Sequence, residues 1–134
     1  SQKTNKQMKF EHFALNLTNA PAASHWYEKH LGLKVVKKMA EPPYMTFLAD
    51  DSGTVMIEIY SNPKGETLDF EKLHPLAVHL ALVSADPNAD RDRLVEAGAK
   101  VISDDVLPDG SHLVMLKDPW GLALQLCKRE TPMI

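Results

Sequence analysis

The chain has 134 residues, of which 44% are hydrophobic, and a formal net charge of −3 at pH 7. This size and composition predict one compact domain with its own core, and no apolar run approaches the roughly 18 residues of a membrane span. No cluster of Lys and Arg suggests a nucleic-acid surface, and the single cysteine excludes an intrachain disulfide and a multi-cysteine zinc site.

The first half of the chain has the pattern of a strand, a helix and three further strands. We predict strands over 10–17, 33–38, 44–49 and 55–60, with a helix from about 20 to 31. Asn19 is a suitable N-cap with Pro21 in the first helical turn, and Gly32 is a suitable stop. Module one therefore extends over about 9–60 and has the order βαβββ.

A linker over 61–75, with one possible helical turn, leads to a second half of the same order. Module two, over about 76–128, is predicted to contain strands over 76–84, 99–102, 113–116 and 122–127, a helix over 87–97 and a loop over 104–110. Asp86 can cap the helix and Gly98 can end it. The last two strands flank Asp118-Pro119-Trp120-Gly121, a sequence that is typical of a turn.

The two halves form an internal repeat with an offset of 67 residues, which is half the length of the chain. The offset pairs His12 with His79, Asp51 with Asp118, and Glu58 with Gln125. Since the strand, helix, glycine and turn signals recur in the same order, chance is a poor explanation. The repeat predicts an α+β protein of two tandem βαβββ modules.

Four polar residues at matched positions are candidates for a metal site: His12, Glu58, His79 and Gln125. Strand parity places each of them on the face opposite the Leu, Ile and Phe residues of its strand. An ionised Glu58 on an enclosed face costs several kcal/mol unless a cation compensates it, and no Lys or Arg shares the inward parity of the central strands. Our interpretation is one divalent ion held by nitrogen and oxygen ligands; hydrogen-bonded or solvated structural roles are the alternative.

Three segments carry a resemblance to a known superfamily. They are Phe10-Glu11-His12-Phe13-Ala14-Leu15, the run from Trp26 to Leu33, and the run from Leu116 to Leu126. With the repeated βαβββ order, they make the chain resemble the vicinal oxygen chelate superfamily. This group contains glyoxalase I, the bleomycin-resistance proteins, the extradiol dioxygenases and related epimerases. The resemblance covers about residues 9–128.

The resemblance implies a single glyoxalase-like domain over 1–134, in which the modules form a curved mixed sheet around a cavity with the helices outside. It also implies that the first and fourth strands of each module hold one divalent metal ion, through His12, Glu58, His79 and Gln125. The ion would be Zn, Ni, Fe, Co or Mn, acting as a Lewis acid that stabilises an enediolate-like anion. Glu58 would be both ligand and catalytic base.

Gln125 departs from the glyoxalase I pattern, which usually has a carboxylate on the fourth strand of both modules. We therefore predict a glyoxalase-like lyase or isomerase with little true lactoylglutathione lyase activity. The alternative is a metal-free small-molecule-binding protein of the bleomycin-resistance type. A third interpretation is an Fe(II) dioxygenase-like enzyme, because two histidines and one carboxylate are the ligand type of such enzymes. Extradiol dioxygenases normally supply the carboxylate from the second module, whereas Glu58 lies in the first.

By resemblance we expect a homodimer that acts on a small-molecule substrate, with the site either within one chain or shared between two. Neither nucleic acid nor a membrane is an expected partner. The remaining histidines are predicted to be structural or at the surface: His25, His30, His74 and His112. We expect a cytoplasmic protein, with an exported form as the alternative because the chain begins at Ser1 without Met.

Overall fold

The computed structural model describes residues 6–134, which form two compact units, module one up to Leu68 and module two over Asp69–Ile134. Module one contains β1 (His12–Asn16), α1 (Ala20–Leu31), β2 (Lys34–Lys38), β3 (Thr46–Ala49) and β4 (Met56–Tyr60). Module two contains a 3-10 turn (Phe70–Lys72), β5 (His79–Val83), α2 (Pro87–Glu96), β6 (Lys100–Val106), β7 (His112–Lys117) and β8 (Ala123–Lys128). In this part of the chain, no helix is long and apolar enough to cross a membrane.

Each module builds its own four-stranded mixed sheet. The strand orders are β1-β4-β3-β2 and β5-β8-β7-β6. The first strand is parallel to the fourth, and the other pairs are antiparallel. Ala14 lies opposite Glu58, and Ala81 lies opposite Gln125 in the same way. The shared topology and register confirm the α+β class and the internal repeat.

The two helices begin where the sequence predicts, because each has a side-chain cap and an early proline. Asn19 Oδ1 accepts a hydrogen bond from the Ala22 N–H at 3.2 Å, and Asp86 Oδ1 accepts one from the Ala89 N–H at 3.1 Å. Such caps each contribute about 1 kcal/mol. After α1 the chain turns through Gly32, whose φ of 69° is left-handed and favours glycine.

One face of each sheet carries the apolar core. In module one, Leu15 and Ile59 are at most 5% exposed, and α1 packs on β3 and β4. In module two, Leu116 and Leu124 are fully buried, and α2 packs on β7 and β8. Full burial of one such side chain contributes about 1.5–3 kcal/mol. Because residues alternate along a strand, the opposite faces carry the candidate site residues.

The second strand of module two, β6, is longer than predicted, and the loop predicted over 104–110 is shorter. Val106 pairs with His112 of β7. Asp104 and Asp105, which suggested a turn, therefore lie within β6, and their assignment to a loop is wrong. The turn preference of aspartate is weak beside the backbone hydrogen bonds and cross-strand contacts that β7 supplies.

Asp104 is accommodated in β6 by two basic side chains. Its carboxylate pairs with the Arg91 guanidinium of α2 and accepts a hydrogen bond from His112 Nε2 at 2.6 Å. The hydrogen bond from His112, followed by that from Arg91, lowers the pKa of Asp104 below its ordinary value. His112 therefore has a structural contact, in line with the role predicted for it.

The lowered pKa of Asp104 predicts an acid-sensitive contribution to stability. Ionised Asp104 stabilises the fold above the ordinary pKa of 3.8, and this contribution disappears as the pH falls through the lower folded-state value. We expect Asp104→Asn to melt below the unmodified protein at pH 7, and the difference to shrink below about pH 5. Thermal melts across this range, with Asp105→Asn as a control of equal charge, measure it. A difference that does not change with pH would contradict the assignment.

A lysine joins the start of module two to its last hairpin. The Lys117 ammonium donates to the carbonyl oxygens of Phe70, Glu71 and Leu73 at 3.1, 2.9 and 2.9 Å. Gly121, in the turn after β7, has a φ of 94°, and a Cβ added there would lie 2.5 Å from the Glu71 nitrogen. The end of the predicted linker is therefore packed against the turn between β7 and β8 and is part of module two.

Candidate functional site

In module one the structure brings two predicted ligands together. His12 is the first residue of β1, and Glu58 is central in the neighbouring parallel strand β4. His12 Nε2 lies 3.3 Å from Glu58 Oε1, and the two side chains are 33% and 12% exposed. Phe47 lies opposite Glu58 on β3 and contacts the His12 ring edge to face, with 5.4 Å between centroids. The aromatic ring therefore limits the movement of the imidazole.

The other ring nitrogen of His12 is held by the preceding residue. His12 Nδ1 lies 2.9 Å from Glu11 Oε1. Since an ionised carboxylate can only accept, the proton of this hydrogen bond belongs to Nδ1. A neutral His12 ring then turns its Nε2 lone pair toward the Glu58 carboxylate. Two electron-pair donors, 3.3 Å apart, therefore lie side by side, an arrangement that suits a cation held by both.

Module two repeats this arrangement around its own histidine. His79 is half-buried, and its Nδ1 donates to the Pro75 carbonyl oxygen at 2.9 Å, which places the lone pair on Nε2 in a neutral ring. His79 lies opposite Ala123, and Gln125 follows two residues further along β8. His12 and Glu58 are related in the same diagonal way across β1 and β4. Metal-binding histidines usually donate their second ring N–H to a carbonyl or carboxylate, and both histidines have that contact.

Gln125 has a partner two residues further along its strand. Cys127 Sγ lies 3.4 Å from Gln125 Oε1 and donates to it. Burial raises the pKa of the Cys127 thiol, so the thiol keeps its proton at neutral pH. The amide oxygen is thus engaged through one lone pair and has a second lone pair for another partner. Such an oxygen is suited to be a weak ligand.

Taken module by module, the structure groups His12 with Glu58. Among residues 6–134 it shows no group of three or more His, Cys, Asp or Glu side chains that could hold a metal ion. Contacts to the candidate ligands that the sequence analysis missed come from Glu11, Phe47, Pro75 and Cys127. Strand parity could have indicated Cys127. Neighbouring residues in a strand ordinarily point to opposite faces, so the Glu11–His12 contact had no sequence signal.

A family model matches nearly the whole chain. Its description is Glyoxalase/Bleomycin resistance protein/Dioxygenase superfamily, and the match extends over residues 9–126. The matched range contains most of both modules and all four candidate ligands. No curated relative matches the chain at a significant level.

Solved structures share the fold at low sequence identity. TnmS3, described as an antibiotic binding protein from Streptomyces sp. CB03234, has a TM-score of 0.71 and 18% identity, over 92% of this chain and 98% of that one. Lactoylglutathione lyase from Agrobacterium tumefaciens has 0.63 and 19%, over 92% and 95%. A glyoxalase I mutant from Zea mays, with one glutamate changed to glutamine, has 0.71 and 18%, over 92% of this chain and 46% of that one. These similarities establish the fold alone.

Proposed function

Because the chain belongs to the glyoxalase/bleomycin resistance protein/dioxygenase superfamily, we propose that it is a glyoxalase-like, divalent-metal-dependent lyase or isomerase. Its substrate is a small oxygen-bearing molecule, and the active protein is a homodimer. The proposed ligands of the metal are His12, Glu58, His79 and Gln125, of which Gln125 is the weakest. The ion is Zn, Ni, Fe, Co or Mn, since imidazole and oxygen ligands suit all of these.

One observation carries this proposal: the His12 ring lies between two carboxylates, with Nδ1 at 2.9 Å from Glu11 and Nε2 at 3.3 Å from Glu58. In the proposed homodimer, a divalent cation would also use the Nε2 lone pair of His79 and the oxygen of Gln125, with the site held by one chain or shared between two. The donor set therefore fits a metal of the borderline class, and the outer contacts of both histidines fit it as well.

The residues of the chain have distinct roles in this proposal. The four proposed ligands would hold a divalent ion, whose chemistry would be to polarise adjacent oxygens of the substrate. Glu58, only 12% exposed beside His12, is the group that takes a proton from the carbon next to the substrate carbonyl. Gln125 cannot take a proton, so a single base serves the reaction. Lactoylglutathione lyase activity is consequently low.

Two other functions are supported by specific observations. The fold similarity to TnmS3, together with the engagement of the Gln125 oxygen by Cys127, favours a metal-free protein that binds a small molecule. The presence of two histidines and one carboxylate among the four candidate ligands favours an Fe(II) dioxygenase-like enzyme. The support for the dioxygenase-like function is weaker, because the carboxylate lies in module one rather than module two.

Metal analysis separates these functions. After chelator treatment, the protein is titrated with Zn²⁺, Ni²⁺, Co²⁺, Mn²⁺ and, under argon, Fe²⁺, with calorimetry as the readout. One ion bound per site supports the two enzyme functions, and absence of binding supports the metal-free function. Oxygen uptake by the Fe²⁺ form with an aromatic diol then identifies a dioxygenase, whereas proton exchange next to a carbonyl identifies the lyase or isomerase.

Replacing Gln125 by glutamate tests the asymmetry of the site. The variant keeps the side-chain length and adds an anionic ligand, so metal affinity should rise at least about tenfold, or about 1.4 kcal/mol. A second base can add about 10² to 10⁴ in the rate of proton transfer from a hemithioacetal. Gln125→Ala is the control and should reduce metal affinity only slightly. Weaker metal binding by Gln125→Glu at neutral pH would show that Gln125 is not near the ion.

A further inference from the structure

Glu11, which precedes the candidate ligand His12, has no acidic counterpart in the repeat. We propose that Glu11 is a positioning residue, which fixes the proton of His12 on Nδ1 and so presents the Nε2 lone pair to the metal. This inference rests on the proposed metal-dependent function. Its physical basis is the 2.9 Å contact between Glu11 Oε1 and His12 Nδ1.

The two carboxylates beside His12 compete for the ring proton. Glu58 would draw the proton to Nε2, where it blocks a metal, and Glu11 draws it to Nδ1. The Glu11 contact is the shorter, at 2.9 Å against 3.3 Å for Glu58. In the arrangement that the structure shows, the hydrogen bond at one nitrogen decides which tautomer is present. Glu11 thus leaves Glu58 free to be ligand and base.

The internal repeat shows that this carboxylate is an addition to module one. The 67-residue offset places Glu11 on Val78, an apolar residue that cannot accept a hydrogen bond. In module two the acceptor is instead the Pro75 carbonyl oxygen, which carries no net charge. Beside the two histidines, module one therefore has Glu11 and Glu58 where module two has Val78 and Gln125.

Both differences place negative charge in module one. Glu58, which the repeat pairs with Gln125, is a proposed direct ligand of the metal. Glu11 would act on the metal indirectly, through the ring of His12. A carboxylate that accepts the outer ring N–H makes the imidazole a better electron donor than a carbonyl does, and loss of such partners typically lowers metal affinity about 10–100-fold. Glu11 is 75% exposed, so water and salt screen its charge and place the expected effect at the lower end of that range.

Two variants of Glu11 separate its charge from its hydrogen bond. Glu11→Val, which copies the residue of module two, should lower metal affinity about tenfold. Glu11→Gln keeps an oxygen acceptor for Nδ1–H and should retain part of the affinity. Glu41→Gln removes one charge from an exposed glutamate elsewhere in module one and should leave the affinity unchanged. If Glu11→Val bound the metal as tightly as Glu41→Gln does, the inference would be wrong.

A measurement on the metal-free protein tests the same residue independently. Nitrogen-15 NMR of the neutral ring should show the His12 proton on Nδ1 in the unmodified protein, and a shift toward Nε2 in Glu11→Val. A His12 proton on Nε2 in the unmodified protein would overturn the inference, whether or not metal binds. Absence of metal binding with the expected tautomer would overturn the metal-dependent function and leave the positioning of His12 by Glu11 established.

Discussion

A variant with both His12 and His79 changed to alanine should lose stoichiometric binding of a divalent metal. Each histidine has its Nδ1 engaged by an oxygen, which leaves Nε2 as the ligand atom. Without them, the proposed site retains one carboxylate and one amide, a set with little affinity for Zn²⁺ or Ni²⁺ at micromolar concentration. The expected loss is at least about 10³-fold, equivalent to about 4 kcal/mol. Calorimetric titration and metal analysis after dialysis measure it.

Controls distinguish a lost ligand from a damaged fold. His25, exposed on α1, provides a matched histidine, and His25→Ala should bind metal like the unmodified protein. Neither candidate histidine is among the buried residues of the core, so the double variant should keep its far-ultraviolet circular dichroism and cooperative melting. Full metal retention in the folded double variant would exclude the proposed site.

Replacing Gly121 by alanine should lower the free energy of unfolding by about 3 kcal/mol. The Cβ would lie 2.5 Å from the Glu71 backbone nitrogen, so one of the two backbone segments must shift. Forcing atoms into a packed region costs about 1–3 kcal/mol, and the left-handed backbone at φ 94° adds about 1 kcal/mol for a residue with a side chain. Chemical denaturation of the variant and the unmodified protein gives the difference.

Gly110 is the matched control for this prediction. It has the same φ of 94° and also lies in module two, but a Cβ there would meet only the end of the Glu130 side chain at 3.4 Å. Gly110→Ala should therefore show the backbone penalty alone, about 1 kcal/mol. Equal destabilisation by the two substitutions would mean that the contact between Gly121 and Glu71 contributes nothing, and that backbone conformation explains both.

Much of the fold could be predicted because its signals are local. Asn19 and Asp86 are caps at the predicted positions, and Gln125 lies in β8 next to β5, as the repeat predicts. The extension of β6 through Asp104 was missed, because it depends on pairing with β7 and on contacts with Arg91 and His112. His112 and Arg91 lie only 8 and 13 residues from Asp104, but the polar run Ser103-Asp104-Asp105 lacks the apolar alternation that predicts a strand.

The candidate site could be predicted to the level of strand parity and no further. The repeat and the period of two residues placed His12 beside β4 and on the same face as Glu58, and the structure shows them 3.3 Å apart. The orientation of the imidazole depends on Glu11, which parity assigns to the other face of the strand. Rotamers and irregular backbone at the end of a strand decide such contacts, and these are tertiary properties.

The anchoring of the 70–73 segment by Lys117 has a consequence for the support of the second histidine. The same segment leads into Pro75, whose carbonyl oxygen holds His79. The first histidine thus takes its outer partner from the residue beside it, whereas the second takes it from the connection between the repeats. The connection between the repeats therefore supplies a hydrogen-bond acceptor to the second imidazole, and the side chain of Val78 does not have to provide one.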